Sequence, residues 1–315
     1  MAPPPVVQVG RARPRVFALA PSRQRRVEIF EAGVLLLPAV AILALSVFYP
    51  LVQALLLSVR HASLLNPTVA SPAGLDNFAR LAHDATFWAA VGNTIVFVVA
   101  SVLGGLALGL ALALLLNEQL PFRNVLRGIA LVPWVVPGVV VALLFLYMFN
   151  SDVGVINYAA VRLGITAHFI DWFGSPDRAL LAEIVANVWS QTPFYMLMIL
   201  AGLQGVPLEE YEAADIDGAS SVMKFRYVTF PHISHVLLVV TSLMTIWNFN
   251  NFDLIWATTQ GGPINATTTL AVYVYRTAFI GLDISYAAAI GLVWLAVLLV
   301  FSVFYIRVLD RGERT

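Results

Sequence analysis

The sequence is poor in cysteine, lysine and charged residues in general. It has no cysteine, one lysine (Lys224), and 11% charged residues. Without cysteine, disulfides and thiolate metal sites are excluded. Lys224 precedes a phenylalanine and does not follow a glycine-rich loop, so the chain has no P-loop for ATP. The formal net charge is zero, which gives no bulk attraction to nucleic acid, and we predict no nucleic-acid partner.

The sequence also lacks a pattern typical of a catalytic or metal centre. Five histidines are present, and His232 and His235 are the pair closest in sequence. Two imidazoles do not complete a metal site, and no nucleophile lies in a recognisable pattern with a base. We therefore predict that the chain is not an enzyme and binds no metal or cofactor itself.

Apolar residues, in contrast, are abundant. They make up 60% of the chain, against about 45–50% in soluble domains. A membrane-spanning helix needs about 20 such residues, and six segments meet this length. These segments are Ala32–Leu57, Thr94–Leu116, Gly128–Phe149, Ala179–Leu203, Ile233–Ala257 and Tyr286–Ile306. The sequence thus predicts an all-α integral membrane protein with six transmembrane helices and one membrane domain at residues 28–310.

The basic residues predict how the chain is oriented in the membrane. Residues 1–27 hold five prolines and six arginines and are expected to form a flexible basic tail. A signal peptide is the alternative, but the apolar run that follows is too long for one. With this tail in the cytoplasm, 13 of the 18 Lys and Arg residues lie on the inner side. The positive-inside rule then places both termini, including a short tail at residues 311–315, in the cytoplasm.

Small residues and prolines within the segments predict local features. Gly105 and Gly109 lie four residues apart in the second segment, which favours close helix packing. Pro133 and Pro137 should bend or interrupt the third segment. Such a break can mark a transport pathway or can be a plain structural kink.

Polar residues inside the fourth and fifth segments form a candidate substrate site. On the fourth segment, four residues follow the spacing of one helix face: Asn187, Ser190, Gln191 and Phe194. On the fifth segment, two residues share a face: Asn248 and Asn251. At 1.5 Å per residue the three asparagines reach about the same depth, in the outer half of the membrane. Amides and aromatics suit a sugar, although amides also connect membrane helices. Glu183 and Asp253, nearer the outer ends, are expected to be wetted from outside.

The most polar stretch connects the fourth and fifth segments at residues 205–232, on the predicted cytoplasmic side. Pro207 can open a short helix, and Gly218 can adopt the left-handed conformation that ends one. The stretch is either a solvated connector or a docking element. The residues predicted to form the docking element are Glu212, Ala213, Ala214, Asp217, Gly218 and Ala219.

This stretch closely resembles the coupling loop of permease subunits from binding-protein-dependent ABC importers. Glu-Ala-Ala at 212–214, Asp-Gly-Ala at 217–219 and Val-Thr-Phe-Pro at 228–231 carry the similarity. Further family landmarks are Phe48-Tyr-Pro50, Gly74 to Phe78, Leu131 to Trp134 and Gln260 to Pro263, so the resemblance covers residues 30–310. Phe230 and His235 depart from it, since the family usually has leucine and often proline there.

The resemblance implies a type I ABC importer permease fold, closest to maltose-type permeases, whose substrate-site asparagines match Asn187, Asn248 and Asn251. It implies as partners a second homologous permease, two ATPase subunits that use ATP and Mg²⁺, an extracytoplasmic sugar-binding protein, and a sugar such as a maltose- or trehalose-like disaccharide. The location would be the lipid bilayer of a bacterial or archaeal cytoplasmic membrane. A glycerol-phosphate or polyol permease, an ion-coupled secondary transporter and a non-transporting scaffold remain alternatives.

Overall fold

The computed structural model describes residues 34–312, apart from the side chains of residues 67–69 and 308–312. The predicted basic tail at residues 1–27 therefore lies outside the described residues. The described part of the chain divides into two units between Gln53 and Ala54, and the sites considered below lie within the second.

Helices dominate the described part of the chain, with one two-stranded hairpin. In chain order the elements are α1 (Val34–Ser58), β1 (Arg60–Ser63), β2 (Asn66–Pro72), α2 (Asp76–Ala82), α3 (Ala85–Asn117), α4 (Arg123–Val135), α5 (Gly138–Met148), α6 (Val155–Arg162), α7 (Pro176–Leu203), α8 (Leu208–Ile216), α9 (Ser221–Lys224, a π-helical turn at Phe225–Thr229, then Phe230–Phe249), α10 (Asp253–Thr258), α11 (Leu270–Ile280) and α12 (Ile284–Gly312). Because α12 continues to Gly312, two residues of the predicted C-terminal tail are helical.

The long apolar helices confirm the predicted membrane architecture. Five helices in the described residues are long and apolar enough to cross a membrane, and the pair α4–α5 makes a sixth span if it crosses as one. The axes of α4 and α5 differ by 94°. The break lies at Pro137, which precedes α5, whereas Pro133 stays inside α4. Val136 is extended, as expected for a residue before proline.

The fifth span differs from its prediction. We expected one helix from Ile233 to Ala257, but α9 begins earlier and ends at Phe249, and α10 follows after three residues. Asn250 explains the break, because its side-chain amide donates to the Ile246 carbonyl at 2.8 Å and its backbone N–H donates to the Trp247 carbonyl at 3.1 Å. Orphan carbonyls at the helix end are thereby satisfied.

The packing of α3 against α7 explains the glycine pair in the second segment. A Cβ atom on Gly105 would lie 2.5 Å from the Tyr195 ring, and one on Gly109 would lie 2.3 Å from the Tyr195 Cβ. Tyr195 is fully buried in a core that also contains Met196 and Ile233. The predicted close approach is therefore confirmed, and larger residues at either glycine would force the helices apart.

A polar cluster at Asp84 connects the start of α3 to α11 and α12. The Asp84 carboxylate caps α3 by accepting from the Thr86 N–H at 2.8 Å, and it also accepts from the Tyr273 and Tyr286 hydroxyls. Burial raises the pKa of Asp84, but these hydrogen bonds outweigh it and hold the pKa below its usual value. This cluster was not predicted, since its members are distant in sequence, and the β1–β2 hairpin was not predicted either.

Candidate functional site

The three asparagines proposed from the sequence meet in one hydrogen-bonded group. Asn187 of α7 donates to the Asn248 side-chain oxygen at 2.5 Å, and its own oxygen accepts from Asn251 at 2.8 Å. Gln191, one turn further along α7, donates to the same Asn187 oxygen at 3.2 Å. The three asparagines, on two spans, therefore lie at the same level, as predicted. Asn251, however, lies in the break after α9 and not on its helical face.

Burial separates these amides into two groups. Asn187 and Asn248 are 1% and 2% exposed, and the side-chain nitrogen of Asn248 donates to the Met244 carbonyl. Both are held by protein partners and orient their neighbours. Asn251 and Gln191 are half-buried, and the Gln191 Oε1 atom is buried with no hydrogen-bond partner in the described part of the chain. Such an unpaired acceptor is costly.

A cavity of about 280 Å³ opens beside this group. It combines amides, a hydroxyl and a carboxylate with two aromatic rings. Its lining residues are Gly138, Val141, Asn187, Ser190, Gln191, Trp247, Asn250, Asn251, Phe252, Asp253 and Leu254. Small-molecule sites are typically concave, with a few polar groups set among apolar side chains.

Two interrupted spans create this cavity. The bend before α5 brings Gly138 close to α10, where its Cβ position would be 3.6 Å from the Asp253 Cβ. The break after α9 exposes non-helical backbone at Asn250–Phe252. Non-helical backbone at membrane depth is tolerated where it is buried in protein or lines a cavity, and here it contributes three lining residues. The break at Pro137 thus belongs to the site and is more than a plain kink.

Two predictions about individual side chains are wrong. Phe194 does not line the cavity, because it packs between Trp134 and Trp247 with ring centroids 5.6 and 5.2 Å away. Glu183 is not wetted from outside; it is fully buried, and its carboxylate accepts from the hydroxyls of Thr258 and Thr259. Asp253, expected in outer solvent, lines the cavity. Periodicity could not show these contacts, since they depend on the break in the fifth span.

The loop between α7 and α9 has the geometry expected for a helix–turn–helix. Pro207 directly precedes α8 and is not its first residue. Gly218 has φ +76°, its N–H bonds to the Asp215 carbonyl at 3.1 Å, and the Ala219 N–H bonds to the Ala214 carbonyl at 2.9 Å. This is a Schellman termination, so the predicted left-handed conformation of Gly218 is confirmed.

Polar contacts join α8 to the first turns of α9. Tyr211 and Thr229 share a hydroxyl–hydroxyl hydrogen bond of 2.8 Å, and Lys224 pairs with Asp215 at 2.8 Å. The exposed pair contributes little energy, but together these contacts connect α8 to the start of α9.

The outward side of this loop is exposed and partly apolar. Glu212, Ala213, Asp217 and Gly218 are exposed, and Ala214 and Ala219 are half-buried. Nearby, Leu208, Ile216 and Val222 are 70%, 87% and 75% exposed. Large exposed apolar side chains grouped on one polar loop mark a candidate interaction surface.

The described residues contain no group of three or more His, Cys, Asp or Glu side chains placed to hold a metal ion. The arrangement as a whole offers a polar cavity between interrupted membrane helices and a rigid exposed helix attached to one of those helices. These features define a multi-pass membrane transport component.

Comparison with known proteins assigns the family. The profile of the binding-protein-dependent transport system inner membrane component matches residues 105–315. The chain belongs to this family, whose members are multi-pass inner-membrane transport components and not enzymes.

Individual relatives match over most of their length. The chain is 34% identical over 282 residues to the sulfoquinovosyl glycerol transport system permease protein SmoG of Agrobacterium fabrum, covering 90% of this chain and 91% of that protein. It is 38% identical over 235 residues to the trehalose/maltose transport system permease protein MalF of Thermococcus litoralis, covering 75% and 79%.

Solved structures agree on the fold. A chain of a bacterial alginate ABC transporter, solved with a pentasaccharide-bound periplasmic protein, superposes with a TM-score of 0.77 and 22% identity, covering 90% of this chain and 94% of that one. The described helices therefore have the fold of an ABC importer permease.

Proposed function

We propose that the chain is the permease subunit of an ABC sugar importer and that the cavity beside Asn187 is its part of the sugar site. The main support for this proposal is the cavity itself, which has amide and hydroxyl groups with indole and phenyl rings beside them. The relatives named for trehalose/maltose and for sulfoquinovosyl glycerol support a sugar as the substrate.

The chemistry of the lining suits a polyhydroxylated ring. Gln191 and Asn251 offer both donors and acceptors to hydroxyl groups, and Ser190 adds a hydroxyl. The Trp247 ring presents an apolar surface against which a sugar ring can stack. A volume of about 280 Å³ suits one or two sugar rings, with the rest of the site supplied by a second permease. A maltose- or trehalose-like disaccharide fits better than glycerol-phosphate, because no basic residue lines the cavity among the described residues.

The exposed surface of α8 and the turn is proposed to dock on an ATPase subunit. Glu212, Ala213, Ala214, Asp217, Gly218 and Ala219 would lie in this contact. Closure of the two ATPases on ATP would push α8, and the contacts with Thr229 and Lys224 would transmit the movement to α9. The end of α9 contributes Trp247 to the cavity, so one continuous helix connects the two sites.

The remaining partners follow from this role. A second permease would complete the pathway, and an extracytoplasmic binding protein would deliver the sugar. The orientation, with α8 and both termini in the cytoplasm, rests on the distribution of Lys and Arg. The cavity then lies in the outer half of the membrane, about 24 Å along α7 from Leu203.

The test is sugar uptake by the complete transporter, reconstituted with its partner subunits. Gln191→Ala and Asn251→Ala should each raise the half-saturating sugar concentration about 2- to 12-fold, as expected for one hydrogen bond of 0.5–1.5 kcal/mol. ATPase activity without sugar should be unchanged. Gln204→Ala, at the exposed residue directly after α7, is the matched control.

Two outcomes would count against the proposal. Unchanged sugar uptake in both variants would mean that the cavity does not bind the transported sugar. Uptake that continues without ATP but requires an ion gradient would indicate a secondary transporter.

A further inference from the structure

The proposed sugar cavity contains one ionisable side chain, that of Asp253. The other lining residues in the described part of the chain are neutral, and none is basic. The four ion pairs found among the described residues do not include Asp253, and its side chain is exposed. The carboxylate is therefore available to whatever occupies the cavity.

We propose that Asp253 determines specificity, by making the cavity accept uncharged sugars and reject sugars that carry a carboxylate, sulfonate or phosphate. This inference rests on the proposed function and deepens it. Family membership alone leaves the question open, because the named substrates of the relatives differ.

The attraction for neutral sugars comes from the carboxylate as a hydrogen-bond acceptor. An ionised carboxylate has two oxygens and only accepts, and neighbouring hydroxyls of a sugar ring can donate to both. Hydrogen bonds to a charged acceptor are roughly twice as strong as neutral ones. Gln191 and Asn251 also line the cavity and can bind the remaining hydroxyls.

The rejection of anionic sugars comes from like-charge repulsion. An acidic substituent on a sugar, if held roughly 6–8 Å from Asp253, would be repelled by its carboxylate. At an effective dielectric constant of about 20, this repulsion weakens binding roughly 30- to 100-fold. The amides nearby are dipoles without net charge, so they do not neutralise the carboxylate.

The experiment measures sugar binding to the purified complex of both permeases and both ATPases, without the binding protein. Omitting the binding protein ensures that the selectivity measured is that of the membrane site. Radiolabelled maltose and trehalose are titrated first. The tighter binder is then compared with its uronic acid derivative, in which one primary hydroxyl is oxidised to a carboxylate.

Asp253→Asn keeps the size of the side chain and removes the charge, and Asp253→Ala is a second variant. Asp177→Asn is the matched control, because Asp177 is also an exposed aspartate in the first turn of a helix but does not line the cavity. Wild type and Asp177→Asn should bind the acid roughly 30- to 100-fold more weakly than the neutral sugar. In both Asp253 variants this ratio should fall to about threefold or less, because the repelling charge is gone.

The outcomes separate this inference from the site on which it rests. If neutral sugar binds and Gln191→Ala weakens it, but the ratio is the same with and without Asp253, the specificity role is wrong and the site stands. Equal binding of the acid and the neutral sugar by wild type would also show that Asp253 has no role in specificity. If no neutral sugar binds, or Gln191→Ala has no effect, the proposed site fails and the role of Asp253 fails with it.

Discussion

Replacing Gly218 by valine tests the coupling role of the loop with little steric ambiguity. Gly218 has φ +76°, and a Cβ atom there would meet nothing within 4 Å. The substitution therefore creates no clash, and its cost is the backbone strain of a β-branched residue in the left-handed region, about 1–3 kcal/mol. Because 1.4 kcal/mol is a factor of ten, a cost of about 2 kcal/mol lowers the ratio of native to opened turn about 30-fold.

The opened turn would lose the two backbone hydrogen bonds that end α8. These bonds join Gly218 to Asp215 and Ala219 to Ala214. Without them α8 no longer presents one fixed surface, so ATPase docking and transport should both fall. Membrane insertion should be normal, because the loop lies outside the long apolar spans.

The assay combines recovery of the ATPase with the purified permease and sugar uptake by the reconstituted complex. Gly218→Asn is the matched control, since asparagine tolerates the left-handed region better than other residues with a side chain. Gly218→Ala should be intermediate between asparagine and valine. Full transport by a normally expressed Gly218→Val protein would refute the reasoning.

Three further predictions concern packing, pH and topology. Gly109→Ala should destabilise the protein by about 1–3 kcal/mol by overpacking α3 against α7, whereas Gly92→Ala on the same helix has open space and should be tolerated; thermal unfolding in detergent compares them. The pKa of Asp84 is lowered in the folded protein, so its ionised form stabilises the fold above the usual aspartate pKa of about 3.9. This stabilisation is lost as the pH falls through the lower pKa of the folded state. In Asp84→Asn the free energy of unfolding should therefore depend less on pH below about pH 4. Cysteines at Val222 and Ile264, both highly exposed, should react with impermeant reagents only from the cytoplasmic and outer sides respectively.

Each of these has a clear contrary result. Equal melting temperatures for the two glycine variants would mean that the helices can separate at no cost. If Asp84→Asn leaves the pH dependence of unfolding unchanged, the Asp84 carboxylate does not contribute to stability through its polar cluster. Labelling from the opposite sides at both cysteines would invert the orientation and place the cavity near the cytoplasm.

The class of protein, its long apolar helices and the conformation of the loop could all be predicted from the sequence. Apolar runs of this length allow only helices that cross a bilayer, because every backbone polar group must be satisfied internally there. Gly218 could be assigned a left-handed conformation because a helix end next to Asp217 needs one. The proline break before α5 was also predictable, since Pro137 has no N–H to donate.

Which polar residues line the cavity and which support it could not be predicted from the sequence, because this depends on how the helices pack. Asn187 and Asn248 share the spacing expected of ligand contacts, yet they bond to each other and are nearly fully buried. Asp253 faces the cavity because α9 ends at Phe249, and that ending depends on hydrogen bonds around Asn250 that no periodicity encodes. Contacts between residues distant in sequence depend on where each helix breaks, and a shift of one turn carries a side chain from the cavity to the packed interior.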